Sequence, residues 1–246
     1  METSRPHLFG LLAGLLLAAG IAFAALIVTG AWTRIAESQV ITVTGSSRKN
    51  VTSDLIIWRA AFMVDSPTLL AAQKQLAAAQ NQVEAFLERH QIKDYELSPV
   101  QIRETTGKTK DEATGEVTER RTGYRLTRAI EIRSAEVARV TELSNESSEL
   151  LEQDVAFATI AVEYLYTKVS ETKIEMMAEA TRDARARAEQ IATQGGRQLK
   201  GLRQARMGVV QINPLHGTAT SWEGNNDTTS KEKTITTTVN AVFSLK

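Results

Sequence analysis

Cysteine is absent from the 246 residues, and proline occurs only four times. Without a thiol there is no disulfide framework, no thiolate metal site and no cysteine nucleophile. Such a chain suits an oxidising compartment such as the bacterial envelope. A surplus of one charge is missing as well, because 29 Lys and Arg balance 29 Asp and Glu. Nucleic-acid binding needs excess cations to displace counterions, so that class of partner is not expected. Histidine is scarce. His7 precedes the first apolar run, His90 falls at a helix end and His216 in a loop, and none has metal-ligand spacing. No metal and no cofactor are expected.

What the chain has in abundance is grease at one end. From Leu8 to Trp32, "LFGLLAGLLLAAGIAFAALIVTGAW", no residue is charged. About 20 apolar residues cross a bilayer core as a helix, whereas secretory signals carry an apolar region of roughly 7–15. Residues 8–32 therefore read as a retained transmembrane anchor behind a short tail, 1–7. Ala22-Phe23-Ala24 has the small-x-small form of a cleavage site, but apolar sequence continues beyond it. Trp32 suits the far interface, where amphipathic rings settle. Arg5 and Arg34 lie on opposite flanks and specify orientation weakly. Gly10 and Gly14 form a GxxxG, a spacing that Gly/Ala-rich spans produce by chance.

Beyond the anchor, residues 37–246 read as one α+β domain. "ITVTGSSRKNVTSDLIIWRAAFMV" gives two strands, with Ile41 and Val43 alternating against Thr42 and Thr44. A helix follows, capped by Ser66 with Pro67 in its first position. Its core face carries Leu69, Leu76, Val83, Phe86 and Leu87. Residues 95–106 and 122–133 form a second strand pair joined by the charged "GKTKDEATGEVTERR". Tyr124, Leu126, Ile130 and Ile132 share one side of it. A helix from near Ser134 passes through Val137, Val140 and Leu143 to the strand "DVAFATIAVEYLY". Another helix spans roughly Ser170 to Gly195, where Gly195-Gly196 supplies a C-cap. "ARMGVVQI" reads as a strand and "NPLHGTATSWEGNNDTTSKEK" as loop. The final "TITTTVNAVFSL" is a strand with Ile235, Val239, Ala241, Phe243 and Leu245 on its buried side. The order ββα ββα β α ββ predicts antiparallel sheets with helices packed on one face.

Catalytic motifs do not assemble. Ser170-Glu171-Thr172-Lys173 spells S-x-x-K, but Ser53-Asp54 is followed by Leu55 and Gly107-Lys108-Thr109 has the wrong order for the companion elements. A phosphate-binding loop would need glycine at position 102, which is isoleucine. The acidic clusters Asp111–Glu112 and Glu149–Glu152 read as solvated faces. Two features instead suit contact. In "AEATRDARARAEQIATQGGRQL", Ala180, Ala184, Ala188 and Ala192 recur at every fourth position, flanked by Met177, Ile191 and Leu199, while the opposite side carries Arg182, Arg185, Glu189 and Arg197. The smooth stripe lies flat on the domain's own sheet, or in addition the cationic side of the helix meets a neighbouring subunit or acidic partner. Trp222, in a polar loop, either plugs a local pocket or anchors a partner; Trp58, in an apolar strand, reads as core.

Taken together, "ITVTGSSRKNVTSDL", "LSP…TGYRLTRAIEIR", the alanine-rich helix with "GLRQARMGVVQI" and the closing strand resemble the SIMPL-domain family of bacterial envelope proteins. The resemblance covers roughly 37–246, with a departure around 145–175. It implies a secreted or membrane-anchored α+β domain with no established reaction and no catalytic residue to transfer. It also implies the homo-oligomeric rings or cages and the oxidative-stress link of some members. The resulting expectation is a single-pass inner-membrane protein with its soluble domain in the periplasm or outside the cell. It is not an enzyme, and it self-assembles in a structural or stress-protective role, with Ala180, Ala184, Ala188, Arg182, Arg185 and Trp222 as interface candidates. The alternative is a ligand-binding or sensory module for a small envelope molecule, which requires an apolar pocket with a few inward polar groups.

Overall fold

The computed structural model describes residues 6–36, 39–110 and 117–246. In chain order the elements are α1 (Pro6–Ala36), β1 (Val40–Thr52), β2 (Leu55–Ser66), α2 (Leu69–Arg89), β3 (Glu96–Leu97), β4 (Gln101–Lys110) and β5 (Val117–Ser134). They continue with α3 (Val137–Glu146), α4 (Glu149–Glu152), β6 (Ala156–Leu165), α5 (Val169–Gln194), β7 (Leu199–Met207), β8 (Gln211–Pro214) and β9 (Glu232–Leu245). The expected class holds: antiparallel sheets with helices, preceded by a helix long and apolar enough to cross a membrane. In that helix Phe9–Trp32 has a mean hydropathy of 2.7 and no buried residue.

The chain divides into two compact units. Unit 1 comprises Met1–Ser47, Glu175–Gly208 and Thr237–Lys246, and unit 2 comprises Arg48–Ile174 and Val209–Thr236. β1, α5 and β9 each run from one unit into the other.

Unit 2 holds a five-stranded sheet in the order β3-β5-β2-β6, with β4 also pairing β5. β3 and β4 take successive stretches of one β5 edge, at Glu96↔Glu131 and Gln101↔Thr127. Between them Ser98 bridges the gap, its hydroxyl accepting from the Ala129 amide while its carbonyl accepts from Arg128. The strand pair reaches further into the charged stretch after residue 106 than its expected bounds, since β4 and β5 stay paired out to Lys110↔Val117. Asp111–Glu112 lie outside the described residues.

One face of this sheet carries the core. Trp58 and Phe62 from β2 and Leu126, Ile130 and Ile132 from β5 meet Leu76, Val83, Phe86 and Leu87 of α2 and Val140 and Leu143 of α3. Trp58 is buried, and its indole N–H donates to the Thr159 hydroxyl at 3.1 Å, which satisfies its one polar group. α2 begins later than the sequence suggested. Ser66 is still in β2, paired with Tyr124, and the cap is Thr68, whose hydroxyl accepts from the Ala71 amide. Pro67 thus precedes the cap, and Leu69 is exposed. The opposite sheet face is polar, with Arg59 bridging Glu131 at 2.7 Å and Glu163 at 2.6 Å across three strands.

In unit 1 the strand order is β1-β9-β7. Leu199↔Leu245 and Met207↔Val239 fix the β7–β9 register, which two irregularities interrupt. The strand expected at "ARMGVVQI" is really two, since β7 starts at Leu199 and Gly208 separates it from β8. β7 lies at the sheet's edge and is half-buried only at Leu199 and Gly201. That exposure removes the alternation by which a strand is recognised. α5 ends at Gln194, and Gly196 adopts the left-handed φ of +69° that closes the helix.

Candidate interaction surface

The alanine stripe is explained inside unit 1. Ala180, Ala184 and Ala188 are wholly buried and pack with Val43, Val239, Ala241 and Phe243. Their shallow face lets a strand come unusually near, and the contact point is Gly45 of β1. A methyl group added there would overlap the Ala180 carbonyl oxygen and the Ala184 backbone nitrogen. Backbone meets backbone at this spot, so only glycine opposite alanine fits.

Polar groups then pin the approach. The Ser46 amide donates to the Asp183 carboxylate at 2.8 Å, and the Ser47 hydroxyl donates to Glu179 at 2.7 Å. The Ser46 amide and the Arg187 guanidinium hold the Asp183 carboxyl below the usual range. The "TGSS" of the sequence is therefore a docking motif for α5: glycine for proximity and two serines for register.

The cationic residues on α5 face outward. Arg182 is exposed, and Arg185 is exposed and paired with Glu189 at 2.9 Å. Met176, one position before the expected Met177, is the buried methionine, and Ile191 is 55% exposed.

In unit 2 the loop following β8 is organised from below by buried amides. Gln211 donates to the Ser221 carbonyl at 2.6 Å and accepts from the Asn225 amide at 2.9 Å. Asn213 donates to the Ala219 carbonyl at 2.8 Å and accepts from the Asn225 side chain at 2.9 Å. A long connection braced in this way is a fixed platform rather than slack chain. At its tip Trp222 is 84% exposed. A ring so exposed fills no pocket among the described residues.

Beneath the same loop lies an ion pair that the sequence reading missed. Lys233 is 1% exposed, and its ammonium donates to the Asp227 carbonyl at 2.5 Å and reaches the Asp227 carboxylate at 3.3 Å. Burial works to raise the Asp227 carboxyl, but hydrogen bonds from Thr229 and Ser230 and the Lys233 charge outweigh it and hold the group at about 2. Burial pushes the Lys233 ammonium down, against the pull of Asp227. The missed signal was parity, because Lys233 shares its side of β9 with Ile235, Val239 and Ala241. A cavity of about 470 Å³ opens beside the pair, lined by Leu165, Tyr166, Val210 and Ile212 among others.

The residues singled out for chemistry do not converge. Ser170 and Lys173 are both exposed on the first turns of α5, His90 lies 3.4 Å from Glu146, and His216 sits in the loop after β8. Among the described residues, no group of three or more His, Asp or Glu could hold a metal ion.

A comparison with curated proteins finds no match for this sequence. A family model, SIMPL, described as a protein of unknown function (DUF541), matches residues 41–243. That span runs from the start of β1 almost to the end of β9 and takes in the TGSS motif, the alanine helix and the braced loop. The chain belongs to the SIMPL family.

Proposed function

We propose that this protein is a membrane-tethered, non-catalytic module of the bacterial envelope that associates with further copies of itself. The carrying observation is Trp222, exposed on a loop whose backbone is locked by Gln211, Asn213 and Asn225. Aromatic anchors on rigid supports supply contact area at low entropic cost, and tryptophan is enriched among residues that dominate interfaces. The apolar helix α1 would hold the assembly at the inner membrane, with the α+β domain in the periplasm or outside the cell. The contribution would be structural or protective.

The alanines proposed for an interface are used up by the protein's own sheet, so contact between copies would fall to Trp222, Arg182 and Arg185. Mass measurement of the detergent-solubilised full chain tests this. We expect a multiple of the monomer mass that drops towards the monomer in Trp222→Ala, with unchanged unfolding. A strictly monomeric native protein would remove the assembly.

The cavity beside Lys233 favours a second reading, capture of a small envelope molecule. Its volume falls in the usual range for ligand sites, and it combines apolar walls with a buried cation. A saturable thermal shift with envelope extract, abolished in Lys233→Met, would select this reading over assembly alone.

A further inference from the structure

Zero net charge conceals a division of charge between the units. Residues 39–47, 175–208 and 237–246, the part of unit 1 outside the apolar helix, contain eight Lys or Arg and four Asp or Glu. Unit 2 contains nineteen Lys or Arg against twenty-three Asp or Glu. The unit that carries the apolar helix is therefore basic, and the other is acidic.

Pairing sharpens the asymmetry. The acids of unit 1 are engaged: Asp183 with Ser46 and Arg187, Glu179 with Ser47, Glu189 with Arg185, and Glu175 with a partner of its own. Arg197, Lys200 and Arg203 are exposed and form no ion pair with the described residues.

Arg197 and Lys200 lie beside the terminal rung of the sheet, at the end where α1 arrives, with Arg203 further along β7. α1 finishes at Ala36, and three residues later the Gln39 carbonyl accepts from the Leu245 amide at 3.0 Å. Leu245 is paired with Leu199, and the Lys246 amide donates to the Gln198 carbonyl. Three residues span at most roughly 11 Å, about one Debye length at moderate salt. Arg197 and Lys200 flank the Leu199 rung, and Arg203 follows on the same edge strand. Apolar side chains accompany them, with Ile191 at 55% and Leu202 at 50% exposed. Between Lys200 and Arg185 the surface dips into a hollow of about 190 Å³ floored by Leu199 and Phe243.

We infer that this end of unit 1 is a lipid-contact surface, seated on the anionic phospholipid headgroups of the bilayer its own helix enters. Free cations beside exposed aliphatic side chains are the composition of an interfacial membrane contact. The chain commits the surface to that partner, because the helix places it within headgroup range. The inference rests on reading α1 as a retained anchor. It adds that the domain lies down on acidic lipid and does not swing freely from its tether. β7 needs no second strand for this, since charges along a sheet edge also deter pairing.

The test uses the full chain in nanodiscs of phosphatidylcholine alone and of phosphatidylcholine with about 30% phosphatidylglycerol, a content that gives the surface its negative potential. Amide hydrogen exchange is read across residues 197–206. We expect exchange roughly tenfold slower in the anionic discs, lost at high salt and lost in Arg197→Gln/Lys200→Gln/Arg203→Gln, with unit 2 exchange unchanged as the folding control. Equal exchange in both discs overturns the inference, as does protection indifferent to salt and to the triple substitution. Failure of the chain to co-elute with either disc overturns the anchor reading itself, and the two failures are distinguishable.

Discussion

The two units bury a helix against a sheet by opposite means. In unit 2, large side chains interdigitate, with Phe86 and Leu76 of α2 filling the space above Trp58 and Phe62. Stability there is spread over many contacts and scales with apolar volume. In unit 1, α5 contributes three wholly buried alanines and meets β1 at a bare glycine, so the interior is small and the backbones are close. Little apolar area is available, and the serine–carboxylate pins at Ser46 and Ser47 take over the task of fixing register. A bulky core tolerates modest repacking, whereas a backbone-to-backbone contact does not.

Reciprocal substitutions would break the comparison. Phe62→Ala, which empties a site of zero exposure in unit 2, should cost about 4 kcal/mol in urea unfolding. The faster exchange should be confined to unit 2 amides. Gly45→Ala, which adds one methyl, should cost about 3 kcal/mol through overlap with two backbone atoms of α5. Its exchange signature should fall in unit 1. Losses below about 1 kcal/mol for Gly45→Ala would mean that α5 can slide away, and the contrast between the units would collapse.

Acid acts on unit 2 on a smaller scale. The folded Asp227 carboxyl sits at about 2, below its ordinary 3.8. A depressed acid stabilises the fold above the unfolded value and loses that contribution as pH falls through the folded one. Unit 2 should accordingly lose about 2 kcal/mol between pH 5 and pH 2 on this account. Asp227→Asn should flatten that part of the profile in a pH series of urea midpoints.

Much of the architecture was legible because it follows from periodicity. The alternation of β9 named Ile235, Val239, Ala241 and Phe243 as its inner row, and the fourfold spacing of alanines marked the buried stripe of α5. The interleaving of two units was not legible, because β1, α5 and β9 keep one pattern while passing from one body to the next. β7 was shifted because an edge strand wetted on both faces has no inside to alternate with. The cap was misplaced because Ser66, itself a good capping residue, is held in the sheet by its pairing with Tyr124. Of the surface candidates, Trp222 could be recognised from a tryptophan amid polar turn residues. The free cations at 197–203 were hidden by a whole-chain charge of zero.

The threading of the chain also bears on its birth. Unit 1 is laid out in three separate stretches, and its middle strand, β9, is the last to be made. Until residues 237–245 emerge from the ribosome, β1 and β7 have nothing between them and Gly45 has no completed sheet to present to α5. Unit 2 has four-fifths of its residues, and both of its long helices' worth of core, in hand by residue 174. Synthesis therefore leaves unit 2 nearly finished and unit 1 open for some sixty residues, and a chain cut before residue 237 would spare the first while leaving the second unable to close.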